Sequence, residues 1–265
     1  MFTAPDDYYA YEDINHAVVG LFRAARNAGA DAVEVLDLGC GRARIGCEVE
    51  RLGFRVTGID ASPAACTVAR RRIGEVLALD ILDFDALAAT LGDRRFDWLV
   101  LADVLEHLPD PLAALRCYRR FLRPDGRLVV SLPNVAVWDN RLRLLFGHFE
   151  YADSGTLDRT HLRFFTFRTG RRLLTAAGFE PLRATFEPGI VRAFLPLLKR
   201  LIGRGSGGDP SAILESRPYR LYARYAMPVE HAVCALAPGL LAFRMVMSAR
   251  LSDRAATPPT PRNQS

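Results

Sequence analysis

The residues best suited to chemistry gather first around VLDLGCGRARIG, Val35 to Gly46. Gly39 and Gly41 follow an apolar run and precede a helical pattern, so backbone without Cβ can turn tightly there and approach a ligand closely. A dinucleotide fingerprint of the form G-x-G-x-x-G would need glycine at position 44, which is Arg44. A nicotinamide reading therefore loses ground. In its place stand acids at intervals: Asp37 two residues before the first glycine, Asp60 after a second apolar run and Asp80 after a third. An acid in the second of these positions can accept both hydroxyls of a ribose, and three on successive strand tips suit a cationic, adenosine-bearing ligand. Two histidines have useful neighbours. His161 stands beside Asp158 and Arg159 in DRTHLRFF, and His107 follows Glu106 in DVLEHL. Near neutral pH a histidine is the usual acceptor for a hydroxyl proton. For His161 the competing role is to fix its loop by hydrogen bonding; for His107 it is helix-terminus structure or a contact to the bound ligand. Cys40, Cys47, Cys66, Cys117 and Cys234 show no C-x-x-C pair, and no His or carboxylate cluster in the sequence demands a metal.

Elements that would hold these residues alternate regularly. Val33 to Leu38, Phe54 to Ile59, Glu75 to Leu79, Trp98 to Ala102 and Arg127 to Leu132 read as buried strands. Ile45 to Leu52, Pro63 to Arg72, Phe84 to Leu91 and Pro111 to Leu122 read as helices between them. Ser62-Pro63 supplies an N-cap with proline at the first helical position, and Gly53 follows a helix as its C-cap. Five strand–helix alternations predict a parallel sheet covered on both faces, with the active site at the strands' carboxyl ends. Beyond Pro133 the rhythm changes. Residues 134–162 carry aromatics and Arg without periodicity, Thr166 to Ala177 is helical and closed by Gly178, and Phe179 to Phe186 and Leu240 to Ala249 are two further strands.

The motifs DLGCGRA (37–43), GIDAS (58–62), ALDILDF (78–84), FDWLVLADVLEHLPDP (96–111) and LRPDGRLVVSLPN (122–134) together resemble the class I S-adenosylmethionine-dependent methyltransferases, over about residues 30–187. The resemblance implies a Rossmann-like doubly wound α/β sheet, mostly parallel with an antiparallel last strand, and S-adenosylmethionine as cofactor. It assigns Asp37, Gly39, Cys40, Gly41, Asp60, Ala61, Asp80, Ile81 and Asp103 to the cofactor. Asp37 would position the methionine amino group and the glycines pass against the methionine part. Asp60 would hold the ribose, Ala61 lie against the adenine, Asp80 accept from its amino group, the Ile81 backbone face the ring and Asp103 lie beside the transferable methyl. Ala43 departs from the family's third glycine. The block Asp158 to Phe179 looks like bacterial methyltransferases acting on glycans, lipids and secondary metabolites. The expected reaction is direct methyl transfer to oxygen of a glycan, lipid-linked sugar or related cell-envelope metabolite, with His161 or His107 as base. A quinone or phenolic acceptor, or a cofactor-binding protein without catalysis, is the alternative.

At 265 residues, 50% hydrophobic and 25% charged, the chain is neither a disordered protein nor a disulfide scaffold. Its +5 charge is uneven: residues 1–189 carry 24 basic and 26 acidic side chains, residues 190–265 carry 11 and 4. All basic residues except Lys199 are Arg. With the first part slightly acidic and no RNA-binding module, specific nucleic-acid binding is not expected. Arg141, Arg143, Arg159, Arg163 and Arg168 interleave with Phe146, Phe149, Tyr151, Phe164 and Phe165, either a phosphate-binding surface or solvated Arg over packed rings. Residues 1–30 are expected as a helical lid, 31–187 as the core, 188–238 as an insertion with a loop at GRGSGGDPS, 239–250 as the returning strand and 251–265 as a disordered tail. Val191, Phe194, Leu195, Leu198, Leu201 and Ile202 recur at helical spacing beside Arg192, Lys199, Arg200 and Arg204, so 190–204 is either a lid helix or a peripheral membrane contact. The acidic, aromatic N-terminus and the cysteine usage point to the cytoplasm, with peripheral membrane contact through that helix, and no run reaches the length of a bilayer span.

Overall fold

The computed structural model describes residues 14–30, 33–188, 224–225 and 227–252. Seven strands form one sheet in the order β3-β2-β1-β4-β5-β7-β6. They are β1 Glu34–Leu38, β2 Arg55–Asp60, β3 Glu75–Ala78, β4 Phe96–Ala102, β5 Leu122–Pro133, β6 Phe179–Pro188 and β7 Ala242–Leu251. β7 runs antiparallel to β5 and β6, and the remaining pairs are parallel. This is the expected doubly wound sheet with an antiparallel last strand. The chain winds outward from β1 to β3, then crosses back to lay β4 on the other side of β1, so the switch point where such sheets take their ligands lies between the tips of β1 and β4.

Alternate strand residues feed two core layers, as period-2 side chains in a sheet covered on both faces must. Leu36, Leu38, Leu99, Leu101, Leu128 and Val130 pack on one face. Val35, Trp98, Val100 and Val129 pack on the other. The strands therefore read as continuous apolar runs, which made them visible in the sequence.

The helices are α1 His16–Asn27, α2 Arg44–Arg51, α3 Pro63–Ala69, α4 Phe84–Leu91, α5 Pro111–Tyr118, α6 Trp138–Leu145, α7 Phe167–Ala176, α8 Met227–Leu236 and α9 Pro238–Leu241. Local chemistry starts them where it should. The side chains of Ser62, Asp83 and Asp110 accept the Ala65, Ala86 and Ala113 amides, and Thr166 with Thr169 forms a capping box before α7. Gly53 and Gly178, left-handed at φ +92° and +82°, follow α2 and α7.

Three expectations change. The helix expected to reach Leu122 ends at Tyr118, because Leu122 pairs with Phe96 and opens β5 after a 3-10 turn at Arg119–Phe121. The last strand starts at Ala242, because Pro238 preorganises the first turn of α9 over Leu240. Residues 134–162 contain α6, whose Leu142, Leu144 and Leu145 are exposed; with no core-facing stripe it left no periodic signal.

α1 is built into the core. Val18 and Phe22 are fully buried, and the Phe22 ring lies 4.8 Å from Trp98 and 5.3 Å from Phe54 between centroids. Residues 1–13 of the expected lid, the apolar helix at 190–204, the GRGSGGDPS loop and the tail beyond Ser252 lie outside the described residues. Among the described residues no helix is long and apolar enough to cross a membrane.

Candidate functional site

The glycine turn after β1 is braced on the tip of β2. The Gly39 and Cys40 amides both donate to the Ile59 carbonyl, at 2.8 and 2.9 Å. One oxygen of the buried Asp60 carboxylate accepts the Gly41 amide at 2.8 Å, and the other accepts the Ser62 amide at 2.8 Å. Gly39, Gly41 and Ala43 all have left-handed backbone, at φ +76°, +53° and +54°. Ala43, where the resemblance expects a third glycine, is left-handed despite its Cβ and is fully buried as the N-cap of α2. Asp60 is thus a loop organiser as well as the expected ribose acceptor.

The other residues expected at the cofactor lie at the same strand tips. Asp37 is buried at the end of β1, and Cys40 is buried where a Cβ on Gly58 would come within 2.8 Å of its sulfur. Ala61 follows Asp60. Asp80 accepts the Leu82 amide through Oδ1 at 2.9 Å, and the Ile81 carbonyl accepts the Tyr118 hydroxyl at 2.9 Å. The expected members therefore gather along one edge of the sheet, at or just after the ends of β1 to β4.

Asp103, at the end of β4, sits at the centre of a chain of polar contacts. It is left-handed at φ +55°. Asn15 Nδ2 donates to Ser131 Oγ at 2.9 Å, and Ser131 Oγ donates to Asp103 Oδ1 at 2.7 Å. Arg244 of β7 bridges Asp103 and Glu187, each at 3.1 Å. Val104 then presses on the glycine turn, its Cγ2 2.7 Å from where a Gly39 Cβ would stand. That contact joins the cofactor cradle to the histidines that follow.

Leu105–His107 forms a 3-10 turn, and the segment after α6 is stitched onto it. The Leu162 and Arg163 amides donate to the Glu106 carbonyl at 2.8 and 3.0 Å, and His107 Nδ1 lies 3.2 Å from the Thr160 carbonyl. Asp158 shapes this loop by accepting the Thr160 amide and hydroxyl at 2.8 and 2.7 Å. The two candidate bases, separate in sequence, meet with ring centroids 4.9 Å apart. Burial holds both imidazoles below the ordinary histidine pKa; for His161 the neighbouring His107 lowers it further, while hydrogen bonds to the Thr160 and Thr156 carbonyls oppose the shift. From His161, rings continue outward through Phe164, at 6.2 Å, to Phe149 and Tyr151.

Glu106 enters the site only through the fold. Its side chain is 1% exposed, and neither carboxylate oxygen has a hydrogen-bond partner. Burial raises its pKa well above the usual carboxylate value, and Asp103 and Asp158 push it the same way. Ligating atoms of Glu106, His107 and His161 lie within 4.8 Å of one another. The sequence showed no such cluster, because His161 comes from a distant loop. Its readable signal was Glu106 beside His107. Asn15, Ser131 and Arg244 carried none, since their place follows from the sheet order. The arginines among the aromatics turn mainly to local partners: Arg141 donates to the Ala136 carbonyl, Arg163 to the Pro109 carbonyl, and Arg159 pairs with Asp153.

Comparison with known proteins bears on the family and the fold. The ubiquinone biosynthesis O-methyltransferase of Cereibacter sphaeroides is 35% identical over 105 residues, 39% of this chain and 42% of that protein, so the match spans less than half of the relative. Among solved structures, a 1,6-didemethyltoxoflavin-N1-methyltransferase from Burkholderia thailandensis aligns over 93% of this chain and 82% of its own at 22% identity, with a TM-score of 0.53. An S-adenosylmethionine-dependent methyltransferase from Archaeoglobus fulgidus aligns over 92% and 97% at 16% identity, with a TM-score of 0.56. These two share the fold. A family model described as a methyltransferase domain matches residues 9–184, and the chain belongs to that family, in agreement with the resemblance in its motifs.

Proposed function

We propose that this protein transfers the methyl group of S-adenosylmethionine to an oxygen of an aromatic small molecule, a phenol or the hydroxyl of a quinone precursor. The observation that carries the reading is the join between glycine turn and histidines: Val104 packs on Gly39, and His107, three residues after it, meets His161 with ring centroids 4.9 Å apart. Asp60 holds the ribose hydroxyls, Asp80 the adenine amino group through Oδ2, Asp37 and the Gly39–Gly41 turn the methionine part, with Ala61 and the Ile81 backbone against the adenine ring. Asp103 stands at the methyl end. The sulfonium is already an activated electrophile, so the chain supplies in-line placement and water exclusion. The Glu106–His107–His161 cluster promotes loss of the acceptor's proton, His161 being the member whose ring continues into Phe164, Phe149 and Tyr151.

Two observations favour an aromatic acceptor over the glycan or lipid-linked sugar read from the motifs. The ring series from His161 gives a planar acceptor surfaces to stack on, and the curated relative acts in ubiquinone biosynthesis. The exposed Leu144, Leu145 and Phe146 of α6 and its end, beside Arg141 and Arg143, suit the apolar tail of such a molecule or the bilayer that holds it. The test is incubation with S-adenosylmethionine and parallel panels of catechols, demethylated quinols and glycolipids, read by mass spectrometry for a methylated product. Product from the phenolic panel alone supports the reading. Product from glycolipids alone, or cofactor binding with no product in any panel, rejects it.

A further inference from the structure

We propose that Asn15, Ser131 and Arg244 are positioning residues for the methyl transfer, acting together as a clamp that fixes the Asp103 carboxylate in one orientation at the methyl end of the cofactor. The inference rests on the methyl-transfer reading for its use and on hydrogen-bond geometry for its existence. Sheet register brings two of the three together. Ser131 of β5 pairs with Val246 of β7, and Arg244 lies two residues along from Val246, so both side chains stand on the sheet face that carries α1. Asn15 arrives on that face because it caps α1, whose Val18 and Phe22 pack with Val129 and Val246.

The second observation is the direction of the hydrogen bonds. Asn15 Oδ1 accepts the Val18 amide at 3.1 Å, which closes the first turn of α1 and leaves the Nδ2 end of the amide to face Ser131. Nδ2 is a donor, so Ser131 Oγ must accept from it, at 2.9 Å. The single hydroxyl proton is then committed to Asp103 Oδ1, at 2.7 Å. Arg244 Nη2 takes Asp103 Oδ2 at 3.1 Å and holds Glu187 through Nη1 at the same distance. The cap of one helix thereby fixes which way the protons of the chain point.

Asp103 needs such a clamp. Its backbone is left-handed at φ +55°, a conformation that costs an L-residue energy, and its amide donates to the Ser131 carbonyl at 3.2 Å. Ser131 therefore grips Asp103 twice, by main chain and by side chain. From this residue the chain enters the turn that lays Val104 against Gly39 and carries His107 to His161. An orientation fixed at Asp103 is passed to both. The clamp thus governs the alignment of methyl and acceptor, while the grip on ribose and adenine is assigned to Asp60 and Asp80 at other strand tips.

The full-length protein loaded with S-adenosylmethionine carrying 13C in its methyl group gives a readout that needs no acceptor. The bound methyl resonance should move from its wild-type position in Ser131→Ala, Asn15→Asp and Arg244→Ala. It should stay there in Arg250→Ala, whose site lies six residues, roughly 20 Å, further along β7. Asn15→Asp separates the clamp from a merely structural cap: it keeps the acceptor for the Val18 amide but turns the donor facing Ser131 into a second acceptor, so a structural cap predicts wild-type behaviour. In the product assay Ser131→Ala and Asn15→Asp should lower kcat by about 10- to 100-fold, with the S-adenosylmethionine dissociation constant within about threefold of wild type. Arg244→Lys should recover part of the turnover lost in Arg244→Ala. An unchanged resonance, or an unchanged kcat, in any of Asn15→Asp, Ser131→Ala and Arg244→Ala that folds overturns the proposal. A moved resonance in these variants, beside no product from wild type in any acceptor panel, rejects the transfer reading and keeps the clamp.

Discussion

Single residues carry distinct physical tasks in this site, and their substitutions should separate. Asp60 braces Gly41 and Ser62 with the carboxylate assigned to the ribose. Asp60→Ala should lose charge-assisted hydrogen bonds worth ~1.5–3 kcal/mol, weakening S-adenosylmethionine binding by about one to two orders of magnitude in calorimetry. His161→Ala should instead lower turnover by about 10²–10⁴ while cofactor affinity stays near wild type. Burial depresses the His161 pKa, so the neutral imidazole is dominant through pH 7 and activity should be flat there. It should fall only as acid protonates the ring below its ordinary 6.5. Glu106 has the opposite sign. Its folded pKa is raised, so above the unfolded value of 4.5 the folded state binds more protons, and the carboxyl destabilises progressively as pH rises. Glu106→Gln should therefore gain stability relative to wild type at pH 8 compared with pH 4.5, by ~1 kcal/mol or more in denaturant titrations.

At the scale of elements, the site depends on how the turn after β1 meets the turn after β4. A methyl on Gly39 would require φ +76° of an alanine and would collide with Val104 Cγ2 at 2.7 Å. Gly39→Ala should cost ~1–3 kcal/mol in stability and, by displacing Val104, move the Leu105–His107 turn as well. Activity should then fall further than cofactor affinity does, which steady-state kinetics beside calorimetry would resolve. A fall in affinity alone would show that the two turns are independent. Ala43, with the same backbone sign at φ +54°, already carries such a cost. Its burial among Val35, Val49 and Val56 explains how the alanine is tolerated.

Across the whole molecule, the antiparallel strand β7 connects the distal edge of the sheet to the tip of β4. Arg244 is 14% exposed and joins Asp103 at the tip of β4 to Glu187 at the end of β6. Arg244→Ala would leave two partly buried carboxylates facing each other, with an expected loss of ~1–3 kcal/mol that added salt recovers only in part. Lys in that position should rescue part of the stability, since it restores charge without the guanidinium fork that bridges both acids. The exposed apolar residues of α6 behave differently. Leu145, 77% exposed, can be changed to Ser with a stability change within about 0.5 kcal/mol, while turnover of long-tailed acceptors should fall relative to short-tailed ones. Equal turnover of both would detach α6 from acceptor binding.

Much of this was legible in the one-dimensional pattern. A parallel sheet covered on both faces needs near-continuous apolar strands, so Val35 to Leu38 and Leu99 to Ala102 declared themselves, and the cradle residues follow their strand tips within a few positions. Sequence spacing alone determined that Asp37, Gly39, Asp60 and Asp80 lie along one edge of the sheet, because parallel strands must end on the same side. What only the tertiary structure decided are the contacts made across that order. Nothing local links His161 to His107, Arg244 to Asp103 or Asn15 to Ser131; each pair meets because the loop after α6 hydrogen-bonds to the Glu106 carbonyl, β7 inserts between β5 and β6, and α1 packs on the sheet. The orphaned carboxylate of Glu106 has the same origin. Burial and the loss of water are properties of the packed molecule, and a glutamate beside a histidine becomes an acid without a hydrogen-bond donor only when the folded chain closes over it.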